Sequence, residues 1–128
     1  MNRLVNPASI GAPAAAYSHA VTSSAGSRLI HTSGVVPARS DGSVPEDLGE
    51  QAELVWDLIA VILEDAGFSL RDIVSYTTYV VVGGDLSVVM AVRDRKLEGH
   101  HAASTLLQVP ALARPAWKVE IAVVAAAD

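Results

Sequence analysis

Leu48, Ala52, Val55, Ile59, Ile62 and Ala66 recur at steps of four, three, four, three and four along the chain. That spacing draws one apolar face of a helix. Pro45, Glu46 and Asp47 suit its first turn, and Gly67 suits the position just past its end. Trp56 lies at the edge of the stripe and is expected to be partly buried. Ile73–Val82 is rich in Val, Ile, Thr and Tyr and reads as a strand ended by Gly83-Gly84. Asp85 then suits the cap of a second helix reaching about Leu97, with Leu86, Val89, Met90 and Leu97 on or near one face. Ala103–Val109 and Lys118–Ala126 form two further strands, joined by a loop holding Pro110 and Pro115. Before the first helix, Ala15–Ser23 and Arg28–Val36 flank Ser24-Ala25-Gly26-Ser27 and predict a hairpin. The residues ahead of Ala15 read as an irregular lead-in, and Pro37–Ser43 as a loop.

The predicted order is ββαβαββ, one domain over residues 1–128. It implies an α+β two-layer sandwich, a mixed sheet with two helices on one face. The last strand carries apolar residues on both sides, since Val119, Ile121 and Val123 alternate with Ala122, Val124 and Ala126. Two helices cover only one face, so the other is expected to pack against further copies of the chain. Composition points the same way: 51% of residues are hydrophobic, and a monomer of this size hides only about two-thirds of its unfolded surface.

Charge and cysteine content narrow the function classes. The formal net charge is −5 and the nine Lys and Arg are scattered, which argues against a nucleic-acid partner. There is no cysteine, so disulfides, thiolate metal sites and cysteine nucleophiles are excluded. Met1–Ala16 holds one arginine and no continuous apolar core, unlike a signal peptide. No apolar run approaches the ~20 residues of a membrane span. A cytoplasmic location without membrane association is the expectation.

Several segments, taken in order, resemble one family. Ala12-Pro13-Ala14-Ala15-Ala16-Tyr17-Ser18-His19-Ala20-Val21 resembles its APxxxxPYSQAV opening, and Ile30-His31-Thr32-Ser33-Gly34-Val35-Val36-Pro37 its SGQIP strand. Gln51 through Gly67 resembles its Q-to-AG helix. Ala103-Ser104-Thr105 and Val119-Glu120-Ile121 resemble its PARS/PART and (V/I)EIE strands. The family is RidA/YjgF, also labelled L-PSP endoribonuclease. The resemblance implies a chorismate-mutase-like homotrimer with small-molecule sites in clefts between subunits. Deaminases of the family hydrolyse 2-imino and 2-enamino acids to 2-keto acids and ammonia, gripping the substrate carboxylate with the arginine of the PAR motif. A bidentate guanidinium suits that task.

Here the aligned stretch reads His101-Ala102-Ala103-Ser104-Thr105. Ser104 stands where the arginine belongs and Ala102 where the proline belongs. The second helix departs too: Met90, a flexible thioether, replaces the family's asparagine in Val89-Met90-Ala91-Val92-Arg93. Tyr17, Ser33, Gly34 and Glu120 match. The cleft is expected to persist, more apolar and without its carboxylate clamp.

Each candidate has a plain alternative. Glu120 sits in an apolar run where an unpaired carboxylate is costly to bury, which suits a proton-transfer group; otherwise it pairs with Lys118 or an arginine. Tyr17 is expected as the second catalytic residue, offering its phenol to a ligand oxygen, or else as a packing aromatic. Ser33 and Gly34 would present a backbone N–H to substrate, or simply form a strand bulge. Met90, Ser104, Thr105 and Trp117 complete the substrate-binding set; Ser104 has no readable His-Asp partner to make it a nucleophile. Arg93 and Arg114 are the remaining cations near the cleft, and the favoured reading makes both solvated surface charges. His19 and His31 without a carboxylate make a poor zinc site, His100-His101 read as an exposed loop, and neither metal nor cofactor is implied.

The leading functional reading is an enzyme for a small imine, enamine or carbonyl metabolite, acting by hydrolysis, tautomerisation or cyclisation. Standard 2-imino acid deamination is expected to be weak. The alternative is a non-catalytic ligand-binding or regulatory trimer. Ribonuclease activity fits poorly with an acidic chain that lacks a basic groove.

Overall fold

A computed structural model describes residues 1–128. Its helices follow the apolar spacing. The first, α1, spans Leu48–Asp65, and the Asp47 carboxylate caps it by accepting the Glu50 amide at 3.0 Å. Gly67 follows the helix at φ +81°, a conformation that a side chain disfavours. The second, α2, spans Leu86–Leu97 and is capped by Asp85. The Ser87 hydroxyl and amide both donate to that carboxylate and hold its pKa below the ordinary value.

The strands are β1 (Arg3–Val5), β2 (Ala20–Thr22), β3 (Arg28–His31), β4 (Ile73–Val81), β5 (Ala103–Val109) and β6 (Val119–Ala127). The main sheet runs β3-β6-β4-β5. β6 is antiparallel to both β3 and β4, and β4 is parallel to β5, so the sheet is mixed. Here the hairpin expectation fails. β2 pairs with β1, inside the stretch expected to be irregular, whereas β3 joins the main sheet beside β6. Runs of three or four residues do not say which neighbour will satisfy their ladder; that is settled by whichever edge the tertiary fold leaves free.

Both helices cover one face. Tyr76 on β4 meets Trp56 of α1 edge-to-face at 5.5 Å and lies against Arg93 of α2. Val119, Ile121, Val123 and Ala125 of β6 are buried beneath the same helices. The buried side of α1 is rotated from the expected stripe: Gln51, Ala52, Val55, Trp56, Ile59 and Leu63 face inward, while Ile62 is 40% exposed. Trp56 is therefore not at an edge but fully enclosed, 1% exposed, because the largest side chain fills the gap between helix and sheet. The opposite face carries Glu120, Ala122 and Val124 of β6, none of them fully buried.

Gln51 ties the start of α1 to the loop leading into β6. Its side-chain amide donates to Pro45 O at 2.7 Å and Ala116 O at 2.9 Å, and its carbonyl accepts the Lys118 amide at 2.9 Å. A fully buried amide is tolerated because both its ends are satisfied. The bonded segment ends two residues before Glu120, so Gln51 fixes where β6 begins.

No helix is long and apolar enough to cross a membrane.

Candidate active site

Glu120 and Gly34 are brought together by a break in the β3–β6 ladder. His31 pairs with Val124, but Val35 pairs with Ile121, leaving one extra residue on the first chain segment. Val35 and Ile121 exchange backbone bonds of 2.7 and 3.1 Å. At the other end Thr32 N–H donates to Val123 O, and the Thr32 hydroxyl accepts the Val123 amide, each at 3.0 Å. Ser33 and Gly34 therefore bulge between two anchored points, both of them exposed. The Glu120 side chain lies directly over Gly34: a Cβ at that position would land on the carboxylate, 2.7 Å from its Cδ. Glycine leaves the Glu120 carboxylate room to lie over the bulge, and an added Cβ would push that side chain aside.

The Glu120 carboxylate makes no hydrogen bond or ion pair within the chain. Lys118, one suggested partner, donates to the Glu46 carbonyl at 2.8 Å instead. Strand register places Tyr79 and Leu107 in the same row as Glu120, and partners in a row share a face. Thr105 shares that face with Thr77 one row pair away, so hydroxyl-bearing side chains stand among the row neighbours of this half-buried carboxylate. Tyr79 was not singled out from the sequence. Alternation within β4 shows only that it opposes Tyr76, and the register against β6 is needed to set it beside Glu120.

Gly34→Ala is expected to push the Glu120 side chain aside and lower turnover of an imine substrate by roughly 10- to 100-fold. The flexible carboxylate can yield, so stability is expected to change by about 0.5 kcal/mol or less. Steady-state kinetics beside urea denaturation check both; unchanged kinetics would remove Gly34 and Glu120 from the site.

The other expected site residues lie elsewhere in the chain. Tyr17 stands at the start of β5, where Ser18 bridges to Ala103 and its hydroxyl donates to the His101 carbonyl. Its phenol oxygen accepts the Ala14 amide at 3.4 Å, and its ring is edge-on to His19 at 6.3 Å. A cavity of about 390 Å³ opens there, lined by Tyr17, His19, His101 and the N-terminal loop. Ala103 is four residues from Leu107, about 13 Å along a strand, so Tyr17 does not reach Glu120 within one chain. Ser104 pairs with Tyr76 and so points to the helix face, away from Glu120. Met90 is half-buried on α2.

Trp117 lines a larger cleft of about 690 Å³ at the carboxyl ends of β4 and β5, with Leu48, Val82, Val88 and Leu112 among its walls and the Arg114 guanidinium 5.6 Å from its ring. Arg114 is exposed, as the sequence suggested. Arg93 is not. Its side chain is only 7% exposed and its Nε donates to Asp94 at 2.9 Å, so the reading of Arg93 as a solvated charge is wrong. The spacing of α2 turns it inward beside Val89 and Val92. His19 is held by the Gly11 carbonyl at 2.7 Å, and no three His, Asp or Glu side chains are grouped to hold a metal ion.

A two-helix, mixed-sheet domain of this kind has counterparts of known structure. A Rid-family protein of unknown function from Yersinia pestis matches with a TM-score of 0.89 and 31% identity, over 98% of both chains. Escherichia coli TdcF, solved with bound serine, matches with a TM-score of 0.74 and 27% identity over 96% of this chain and 94% of that one. The family described as endoribonuclease L-PSP matches residues 8–127, and the chain belongs to this family, the one that contains the RidA and YjgF proteins. Among its relatives is the 2-iminobutanoate/2-iminopropanoate deaminase of Escherichia coli K12. That protein is 33% identical over 101 residues, 76% of this chain and 78% of its own length.

Proposed function

We propose that the protein acts on a small imine, enamine or carbonyl metabolite in a cleft completed by a second subunit of a homotrimer, with Glu120 as the proton-transfer group. The observation that carries this reading is the Glu120 carboxylate, unpaired and set over the one residue type that leaves room above it. In hydrolysis of an imine, the carboxylate takes a proton from water as its oxygen bonds to the imine carbon. It returns that proton to nitrogen to give the carbinolamine, and then passes the hydroxyl proton to nitrogen as the carbon–nitrogen bond breaks, the carbonyl forms and the amine leaves. The same group can move a proton between carbon and nitrogen in tautomerisation. The Gly34 amide and Tyr17 orient the ligand.

A partner chain completes the site in this reading, because Tyr17 lies next to the Ala103 end of β5, about 13 Å along the strand from Leu107 in the Glu120 row, and the face carrying Ala122 and Val124 is left uncovered. Packing copies of the chain on that face buries it and adds a second set of site residues beside each Glu120. The His101–Thr105 stretch carries no arginine, and its residue on the Glu120 face, Thr105, offers only a hydroxyl where a fork-shaped cation would hold a carboxylate, so the reading favours substrates other than short 2-imino acids.

The test is a turnover assay in which 2-iminobutanoate is generated in place and its hydrolysis followed, beside cyclic and uncharged imines. Weak or absent acceleration of 2-iminobutanoate with turnover of another imine is expected. Robust deamination of 2-iminobutanoate would overturn the reading that the site lacks a carboxylate clamp.

A further inference from the structure

In sheets with parallel strands, ligands favour the crevice beyond the carboxyl ends of those strands. β4 and β5 are parallel, and the cleft of about 690 Å³ lined by Trp117 opens at their carboxyl ends. That volume falls within the roughly 300–1,000 Å³ of small-molecule sites. Glu120, Gly34 and Tyr79 do not line it, so it is separate from the candidate active site.

The loop between β5 and β6 supplies its aromatic and cationic groups. Arg114 and Pro115 open a turn that the Trp117 amide closes by donating to the Arg114 carbonyl at 3.1 Å. The turn sets the Arg114 guanidinium 5.6 Å from the Trp117 ring, the stacked arrangement that leaves the edge of the fork free for an anion. The residues on either side of Trp117 are both held by the buried Gln51 side chain, which donates to Ala116 O and accepts the Lys118 amide. The backbone under the ring is therefore anchored before any ligand arrives, which lowers the cost of binding.

The two helix starts supply the acids. A Cβ on Gly49 of α1 would lie 3.3 Å from Val88 of α2 and 3.1 Å from the Asp47 carboxylate, so the helices begin side by side. Asp47 gives one oxygen to the Glu50 amide, and Asp85 gives one to the amide and hydroxyl of Ser87. The second oxygen of each carboxylate is left for a ligand. The bonds from Ser87 hold the Asp85 carboxyl below its ordinary range, so it is ionised at neutral pH.

Charge at the cleft is balanced but unpaired. Asp47, Asp85, Arg114 and Lys118 all line it, yet no ion pair joins either carboxylate to either cation. Lys118 spends one donor on the Glu46 carbonyl, and Arg114 is exposed. Val82 and Val88, 63% and 37% exposed, add apolar wall beside Leu48 and Leu112. A ligand that answers all of this carries one positive group, one negative group and an apolar body.

We propose that this cleft binds an apolar α-amino acid as its zwitterion. Its carboxylate meets the Arg114 fork, its ammonium meets the free oxygens of Asp47 and Asp85, and its hydrocarbon side chain packs against Trp117, Val88 and Leu112. A carboxylic acid without the amine leaves both aspartates unanswered, and an amine without the acid leaves the guanidinium unanswered. The proposal does not rest on the imine reading, since binding here is measured without turnover.

The test is a titration with L-leucine, following the two indole N–H resonances of the chain, Trp56 and Trp117. Trp117 is expected to shift saturably while the enclosed Trp56 stays in place. 4-Methylpentanoate, which lacks the ammonium, and 3-methylbutylamine, which lacks the carboxylate, are each expected to bind roughly tenfold or more weakly. Glycine, which lacks the apolar body, is expected to bind more weakly as well. Arg114→Gln and Asp85→Asn are each expected to weaken leucine binding by roughly three- to tenfold. Both should fold as the parent does, because Arg114 is an exposed loop residue and asparagine still caps α2. No saturable movement of Trp117, or unchanged affinity in either variant, overturns the proposal. Equal binding of 4-methylpentanoate or 3-methylbutylamine overturns the choice of a zwitterion. Unchanged leucine binding in Glu120→Gln supports a site apart from the imine cleft, and its loss there overturns the placement.

Discussion

Glu120→Gln is expected to leave the fold and ligand affinity close to those of the parent while lowering turnover by roughly 10²–10⁴-fold. Glutamine keeps the shape of the side chain over Gly34 and removes its ability to take up and return a proton. No ion pair is broken by the change, because the carboxylate has no partner within the chain, so little stability is at stake. Kinetics on an imine that the protein turns over, set beside calorimetric binding of a stable product analogue, separate the two quantities. A fall in affinity with unchanged turnover would make Glu120 a binding group, and a protein that never turns over any imine would fit the regulatory reading instead.

Trp56→Ala is expected to be the most damaging substitution in the core, costing about 3–5 kcal/mol. That is a large part of the roughly 5–15 kcal/mol by which a domain of this kind is stable. The ring is fully enclosed and packs edge-on to Tyr76, so truncation leaves a cavity that α1 and the sheet cannot close together. Trp56→Phe is expected to lose far less. It keeps an aromatic ring against Tyr76 and removes the Nε1 donor that the fold leaves unpartnered. Urea denaturation of the two variants beside the parent gives the comparison, and a Phe variant as unstable as the Ala one would mean that the indole N–H is satisfied in solution.

The contrast between Trp56 and Ile62 shows what apolar spacing conveys. Steps of three and four locate a helix and roughly which side is buried. They do not resolve a rotation of half a residue width, and that rotation exchanges Ile62 for Trp56 and Leu63. Arg93 is the same effect in a charged residue: its type suggested solvent, and its place on α2 put it inside. Gln51 was readable only as part of a family motif, since its role rests on carbonyls of residues 45 and 116 that the fold brings alongside.

The Glu120–Gly34 pair was legible because both residues fall in segments that resemble the family, and an acidic residue in a β-rich apolar run is conspicuous on its own. Its geometry was not legible, since the bulge depends on a one-residue shift in pairing between segments about ninety positions apart. By itself the sequence determined the two helices, the Asp85 cap and the Gly67 stop, four strands of the main sheet and the absence of an arginine from residues 101–105. These are local properties, set by side-chain period, capping chemistry and residue identity. Tertiary structure alone decided that β1 rather than β3 pairs with β2, that Tyr79 stands beside Glu120, and that Arg93, Tyr76 and Trp56 share a buried corner. Those outcomes depend on which distant backbone groups find each other, and no local run of residues carries that information.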